Sequence, residues 1–122
     1  MLNKKNRINK KTEIDRFFGL GFGKDGGKNF SNEFFVLKII KRKTDKPSRF
    51  GFVVSNKVDN RATQRNLLKR RLRAIARKYL TKLQDGTEIM IIAKPAGKKA
   101  DLQTLEKEFL KIMDKGKFFY EI

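Results

Sequence analysis

The 122-residue chain predicts a mixed α/β sandwich, with helices laid on one small sheet. Three observations carry that expectation. Segments 33–41, 49–55 and 87–94 are rich in Phe, Val and Ile at strand length. Between the second and third lies a stretch, roughly 61–83, whose apolar residues recur at helical spacing. The length suits one domain over residues 1–122, and 39% hydrophobic residues, with 11 phenylalanines and no tryptophan, suffice for one packed core. The predicted order is helix, two or three strands, helix, strand, helix.

Residues 1–11 form a basic arm with Leu2 and Ile8 as anchors. Thr12 is placed to cap a short helix with Asp15 at the capping-box position, and Ile14, Phe17 and Phe18 fall on one side of it. Gly19 and Gly21 end that helix, and the Gly, Asn and Asp content of 19–32 predicts a loop. In EFFVLKIIK (33–41), Phe35, Leu37 and Ile39 make an apolar strand face, while Phe34, Val36, Lys38 and Ile40 make a mixed one. A turn with Pro47 leads to RFGFVVS (49–55), expected to pair with the preceding strand as a hairpin, Gly51 marking a bulge or a close backbone approach. After the 61–83 helix, Asp85-Gly86 is a turn signal. TEIMIIAK (87–94) is apolar on both faces in its middle and is stopped by Pro95 and Gly97. Asp101 can cap a last helix whose apolar positions are Leu102, Leu105, Phe109 and Ile112 and which Gly116 can terminate.

Charge narrows the function. Thirty-one Lys and Arg against 13 Asp and Glu give +18, an excess that favours polyanions and points first to nucleic acid, then to an anionic membrane surface. No apolar run approaches the ~20 residues that span a bilayer, and the N-terminus lacks the apolar core of a secretory signal. A cytoplasmic protein is expected. Cysteine and histidine are absent, which excludes disulfides, zinc fingers, thiolate nucleophiles and histidine-based triads. The pairs Glu13/Asp15 and Glu106/Glu108 stand two apart and so point to different sides of their helices, which suits capping and solubility better than a metal.

The informative stretch is RNLLKRRLRAIARK, 65–78. At 100° per residue, Leu68, Leu72, Ile75, Tyr79 and Leu83 form a stripe toward the sheet. Asn66, Lys69, Arg70, Arg73 and Arg77 form a ridge beside it, and Arg71, Lys78 and Lys82 occupy the other flank. A solvated helix face mixes signs, whereas from Asn60 to Gln84 there are nine cations and no acid. Like-charge pairs such as Lys69–Arg73 and Arg73–Arg77 each cost a few tenths of a kcal/mol, a repulsion that phosphates would relieve. Arginine's planar fork suits bidentate phosphate contacts. On the mixed strand face, Phe34, Val36 and Lys38 are placed to meet unpaired bases.

The run RFGFVVSNKVDNRATQRNLLKRRLRAI, from Arg49 to Ile75, resembles the signature region of the bacterial ribonuclease P protein subunit: a GFVVS strand, a lysine-containing connection, then R-N-x-x-K-R-x-x-R on a helix. The basic arm, the FFVL strand and the later IIAKP strand end fit in order, so the resemblance spans nearly the whole chain. It implies an α+β two-layer sandwich, helix–three strands–helix–strand–helix, with a left-handed βαβ crossover around the basic helix, a handedness no pattern could have supplied. It further implies a subunit without catalytic residues of its own. That subunit joins a catalytic RNA and binds the 5′ leader of precursor tRNA while the RNA, with Mg²⁺, cuts it. No membrane or obligate protein partner is implied. By position, Lys57, Arg65, Asn66, Lys69, Arg70 and Arg73 match RNA-contacting positions; Arg61 and Arg77 extend them. Phe18, Val36 and Lys38 match the leader cleft, with Phe34 beside them. Three positions depart from the family pattern: Leu67 replaces a common arginine, Ile14 a common aromatic, and Lys38 a frequent aromatic, which predicts a cleft relying more on charge than on stacking. A structural RNA binder such as a ribosomal protein shares the charge and size, and only the GFVVS-to-R-N-x-x-K-R combination argues against it. A stand-alone metal nuclease would need clustered carboxylates.

Overall fold

The structure, a computed structural model, describes residues 2–120. Its elements are α1 (Lys11–Arg16), α2 (Gly21–Lys24), β1 (Lys28–Ser31), β2 (Phe35–Lys41), β3 (Arg49–Val53), α3 (Ala62–Tyr79), β4 (Thr87–Ala93) and α4 (Leu102–Gly116). Four strands form one sheet in the order β1-β2-β4-β3. β1 and β2 pair antiparallel, as do β2 and β4, while β3 and β4 run parallel, joined by α3. This is the expected α+β sandwich with its βαβ crossover around the basic helix.

The two sheet faces follow from the period-2 alternation of strand side chains. One face sends Phe35, Leu37 and Ile39 of β2, Phe50 of β3 and Ile89 and Ile91 of β4 against α3 and α4. Those helices answer with Leu68, Leu72, Ile75 and Tyr79, and with Leu105, Phe109, Ile112 and Met113. The opposite face carries a smaller cluster, Ile40 and Met90 beneath Ile8, Phe17 and Phe22, with Ile14, Val53 and Ile92 packed around it. The N-terminal arm extends the sheet past β3: Arg7 bridges to Phe50, and the Ile8 amide donates to the Phe50 carbonyl at 2.8 Å.

Several sequence expectations are corrected. β2 and β3 are not a hairpin, because β4 lies between them. β4 is buried along nearly its whole length, and a strand apolar on both faces belongs at the centre of the sheet. The expected loop 19–32 contains α2 and β1; the alternation of Asn29, Phe30 and Ser31 is too polar and brief to announce a strand. Thr12 does not cap α1, which starts at Lys11 without a side-chain cap, so the Thr12–Asp15 capping box is absent. The basic helix ends at Tyr79, and a short 3-10 turn, Leu80–Lys82, carries the chain on so that Leu83 still reaches the core. Gly51 makes no bulge but does mark the close approach expected: it sits in regular pairing opposite Met90, where a Cβ would stand 2.6 Å from the Met90 Cε and 3.1 Å from the Ile8 carbonyl oxygen. α4 ends at Gly116, but the left-handed residue is Lys117, φ 55°. Asp101 does cap α4, accepting from the Thr104 amide at 2.8 Å, and Gly86 supplies the turn's positive φ of 79°.

Candidate nucleic-acid interface

α3 forms where strong helix formers, Leu, Arg, Lys, Ala and Gln, dominate, and its apolar stripe fixes which way it faces. The stripe of Leu68, Leu72, Ile75 and Tyr79 is buried, so the ridge is held at the surface. Asn66, Arg70 and Arg77 are exposed, and Lys69 and Arg73 are half-buried. Among the described residues, none of Lys69, Arg70, Arg73 and Arg77 has an ion-pair partner within 4.0 Å. Arg70, Arg73, Arg77 and Lys78 line one groove. Lys69 and Arg73 line a second with Arg7, whose buried Nε has no hydrogen-bond partner, and with Ile14, Phe50 and Phe52. A buried donor without an acceptor beside two further cations is a place where an anion's oxygen would be stabilised.

The start of the helix is organised differently. The buried Asp59 accepts from the Arg61 amide at 2.9 Å and from its guanidinium at 3.1 and 2.9 Å, with Lys98 3.6 Å away. Those hydrogen bonds hold the Asp59 carboxyl well below the usual carboxylate range. Its charge lies at the N-terminus of α3, where the helix dipole favours an anion. Arg65 donates to the carbonyls of Asp59 and Asn60 at 3.1 and 2.9 Å. Arg61 and Arg65 are thus partly engaged within the protein, although Arg61 remains largely exposed; Lys57 stands exposed in the connection before them.

The second feature is the margin where α1–α2 lie on the second sheet face. Phe18 is 53% exposed there. Lys38 projects from β2 between the two elements: its Nζ lies 4.6 Å from the Phe22 ring centroid, 5.6 Å from that of Phe18, and 3.0 Å from the Asn29 Oδ1. A cation over aromatic faces is attracted by the ring quadrupole. Val36 shares this face, half-buried. Further along, the Lys94 Nζ donates to the Ser31 Oγ and the Asn32 carbonyl, both at 2.6 Å. Phe34 is displaced from the group: it precedes β2, packs against the helix-side core and lines a groove with Pro95 and Thr104. Strand alternation put Phe34 beside Val36, but the strand begins one residue later and the chain before it turns on Asn32, whose Oδ1 accepts from the Phe34 and Phe35 amides.

A sequence model of one family, described as Ribonuclease P, matches residues 2–117. The chain belongs to the ribonuclease P family. It is 32% identical over 119 residues to the ribonuclease P protein component of Syntrophomonas wolfei, covering 98% of this chain and 93% of that protein. It is 30% identical over 120 residues to that of Pseudanabaena, covering 98% of each. Among solved structures, the RNase P protein of Thermotoga maritima superposes with a TM-score of 0.72 at 28% identity, over 90% of this chain and 96% of that one. The fold is also that of the Staphylococcus aureus RNase P protein, TM-score 0.78 at 23% identity, over 96% of this chain and 100% of that one.

Within this family frame, the signature run from Arg49 to Ile75 occupies β3, the connection and α3. Phe18, Val36 and Lys38 come together, as do Lys69, Arg70, Arg73 and Arg77. Sequence reasoning missed Arg7, Asn29, Asp59 and Lys94. Only Asp59 carried a local signal, an acid three residues before the helix; the others meet the site through strand pairing that adjacency in sequence does not reveal.

Proposed function

We propose that this protein is the RNA-binding subunit of a ribonucleoprotein that removes the 5′ leader of precursor tRNA in the cytoplasm. The unpaired ridge of α3 binds phosphates of the catalytic RNA. The cleft between α1–α2 and the sheet holds the single-stranded leader, with Phe18 offering a face to an unpaired base and Lys38 a charge to the backbone. The observation that carries this reading is continuity: Ile14 borders the groove of Lys69 and Arg73 on one side and packs into the cluster under the cleft on the other. The two basic regions therefore meet at Ile14, where two polyanions can lie side by side with less repulsion between them.

Hydrolysis belongs to the RNA with its Mg²⁺. Among the described residues no three carboxylates converge as metal ligands, and the buried Asp59 and Glu88 are each occupied by arginines. The protein's own contribution is binding and orientation. The test compares precursor tRNAs carrying a long leader with ones shortened to about one nucleotide, bound to the reconstituted holoenzyme. Affinity falls as the leader shortens. Equal affinity for precursor and mature tRNA refutes the cleft.

A further inference from the structure

At the far end of the cleft, Glu88 of β4 is buried, its side chain 8% exposed. Its Oε1 accepts from the Arg42 Nε at 2.8 Å and its Oε2 from the Arg49 Nε at 2.8 Å, with the Arg49 Nη2 also bonded. Burial opposes the Glu88 charge, but the hydrogen bonds from Arg42 and Arg49 outweigh it and keep the carboxyl below its ordinary range. Two guanidiniums thus meet one carboxylate, leaving one positive charge in a desolvated place. The Glu13 Oε2 on α1 meets that surplus, 2.5 Å from the Arg49 Nη1.

From Asn9 to Gly27, among the described residues, every other hydrogen bond is local to the segment, and no other ion pair leaves it. Apart from the Glu13–Arg49 contact, α1 and α2 rest on the sheet through apolar packing of Ile14, Phe17 and Phe22 and through the Lys38 ammonium over the Phe18 and Phe22 rings. α1 has six residues and no side-chain cap, too short to hold its own geometry.

We infer that the Glu13–Arg49 pair is a latch that fixes α1 over the open sheet face, making both side chains positioning residues for leader selection. This rests on the leader-cleft reading. Glu13 lies five residues before Phe18, so the latch sets where the Phe18 ring stands relative to Lys38. The buried Glu88 holds Arg49 in place for it.

The experiment uses the full protein assembled with its RNA subunit, as wild type, Glu13→Gln and Glu13→Arg. Dissociation constants are measured for precursor and mature tRNA, and amide exchange is followed in the free protein. Mature tRNA binds all three equally. Precursor binding weakens about three- to fivefold in Glu13→Gln, the size of a partly exposed ion pair, and more in Glu13→Arg, which repels Arg49. Amides of 14–18 exchange faster while those of β4 do not change, showing that the sheet is intact. A wild type that does not distinguish precursor from mature tRNA overturns the cleft and the latch together. A wild type that does, with Glu13→Gln matching or exceeding it, overturns the latch alone.

Discussion

Replacing Arg70 and Arg77 together by alanine should weaken RNA binding while making the free protein more stable. Both side chains are exposed, and neither makes an ion pair or side-chain hydrogen bond among the described residues, so their loss breaks no polar contact described in the fold. In α3, Arg70 stands three residues before Arg73 and Arg77 four residues after it, two like-charge contacts costing about 0.2–0.5 kcal/mol each. Alanine is also the better helix former, so unfolding free energy at low salt rises by about 0.5–1 kcal/mol. Binding moves the other way. If each arginine neutralises one phosphate, the slope of log affinity against log salt flattens by about 1.8 on duplex RNA, taking the duplex DNA coefficient as a guide. Between about 50 and 200 mM salt, the variant then loses about 12-fold less affinity than the wild type does. Filter binding to the RNA subunit across that range, beside thermal melting of the free protein, reads both quantities. An unchanged slope with unchanged affinity removes the ridge from the interface. A lowered melting temperature shows the two arginines held by contacts absent from this structure.

The remaining predictions separate fold from site. Glu88→Gln leaves Arg42 and Arg49 without their common anion and should cost about 1–3 kcal/mol at neutral pH, read by urea unfolding. Because the folded carboxyl titrates below its ordinary range, its contribution is complete above the unfolded value of about 4.3 and is lost as pH falls through the folded one. The gap between wild type and variant therefore narrows in acid; a gap independent of pH contradicts the pairing. Neighbouring phenylalanines should part company. Phe17 is 2% exposed, its ring 5.8 Å from that of Phe22, and Phe17→Ala should cost about 3 kcal/mol of stability. Phe18→Ala should leave stability nearly unchanged and lower the preference for precursor over mature tRNA, and equal melting losses in the two variants would refute the assignment of Phe18 to the cleft.

How much of this was legible in the sequence depends on the range of the interaction. The burial of α3 was readable because Leu68, Leu72, Ile75 and Tyr79 repeat at the period of the helix itself, and the ridge followed from the same geometry. Val36 and Lys38 could be put on one face because strand alternation is equally local. The sheet order was not readable. The closeness of segments 33–41 and 49–55 favoured a hairpin, whereas β4, apolar on both faces, inserts between them and pairs with each. With that insertion come the contacts no local pattern could show: Glu88 beneath Arg42 and Arg49, and Glu13 reaching Arg49 across 36 residues. Phe34 failed by a smaller margin, since one residue of strand boundary decides on which face a side chain falls.

The distribution of acids explains why a chain of +18 can fold and still bind. Where the structure needs a fixed geometry, a carboxylate is supplied: Asp59 at the start of α3, Glu88 and Glu13 at the end of the cleft, Glu106 accepting from Lys78 and the Tyr79 hydroxyl, Asp101 at the cap of α4. From Lys69 to Arg77 none is supplied, although the same helix could carry Glu four residues from each base at no cost in propensity. A protein selected for stability alone would neutralise that ridge first, because it is where repulsion is densest. On the proposed reading, the RNA supplies the missing counter-charge. Leaving the ridge bare also gives binding a share of the free energy that an isolated fold would have gained from its own ion pairs, which is why the Arg70 and Arg77 substitutions must move stability and affinity in opposite directions.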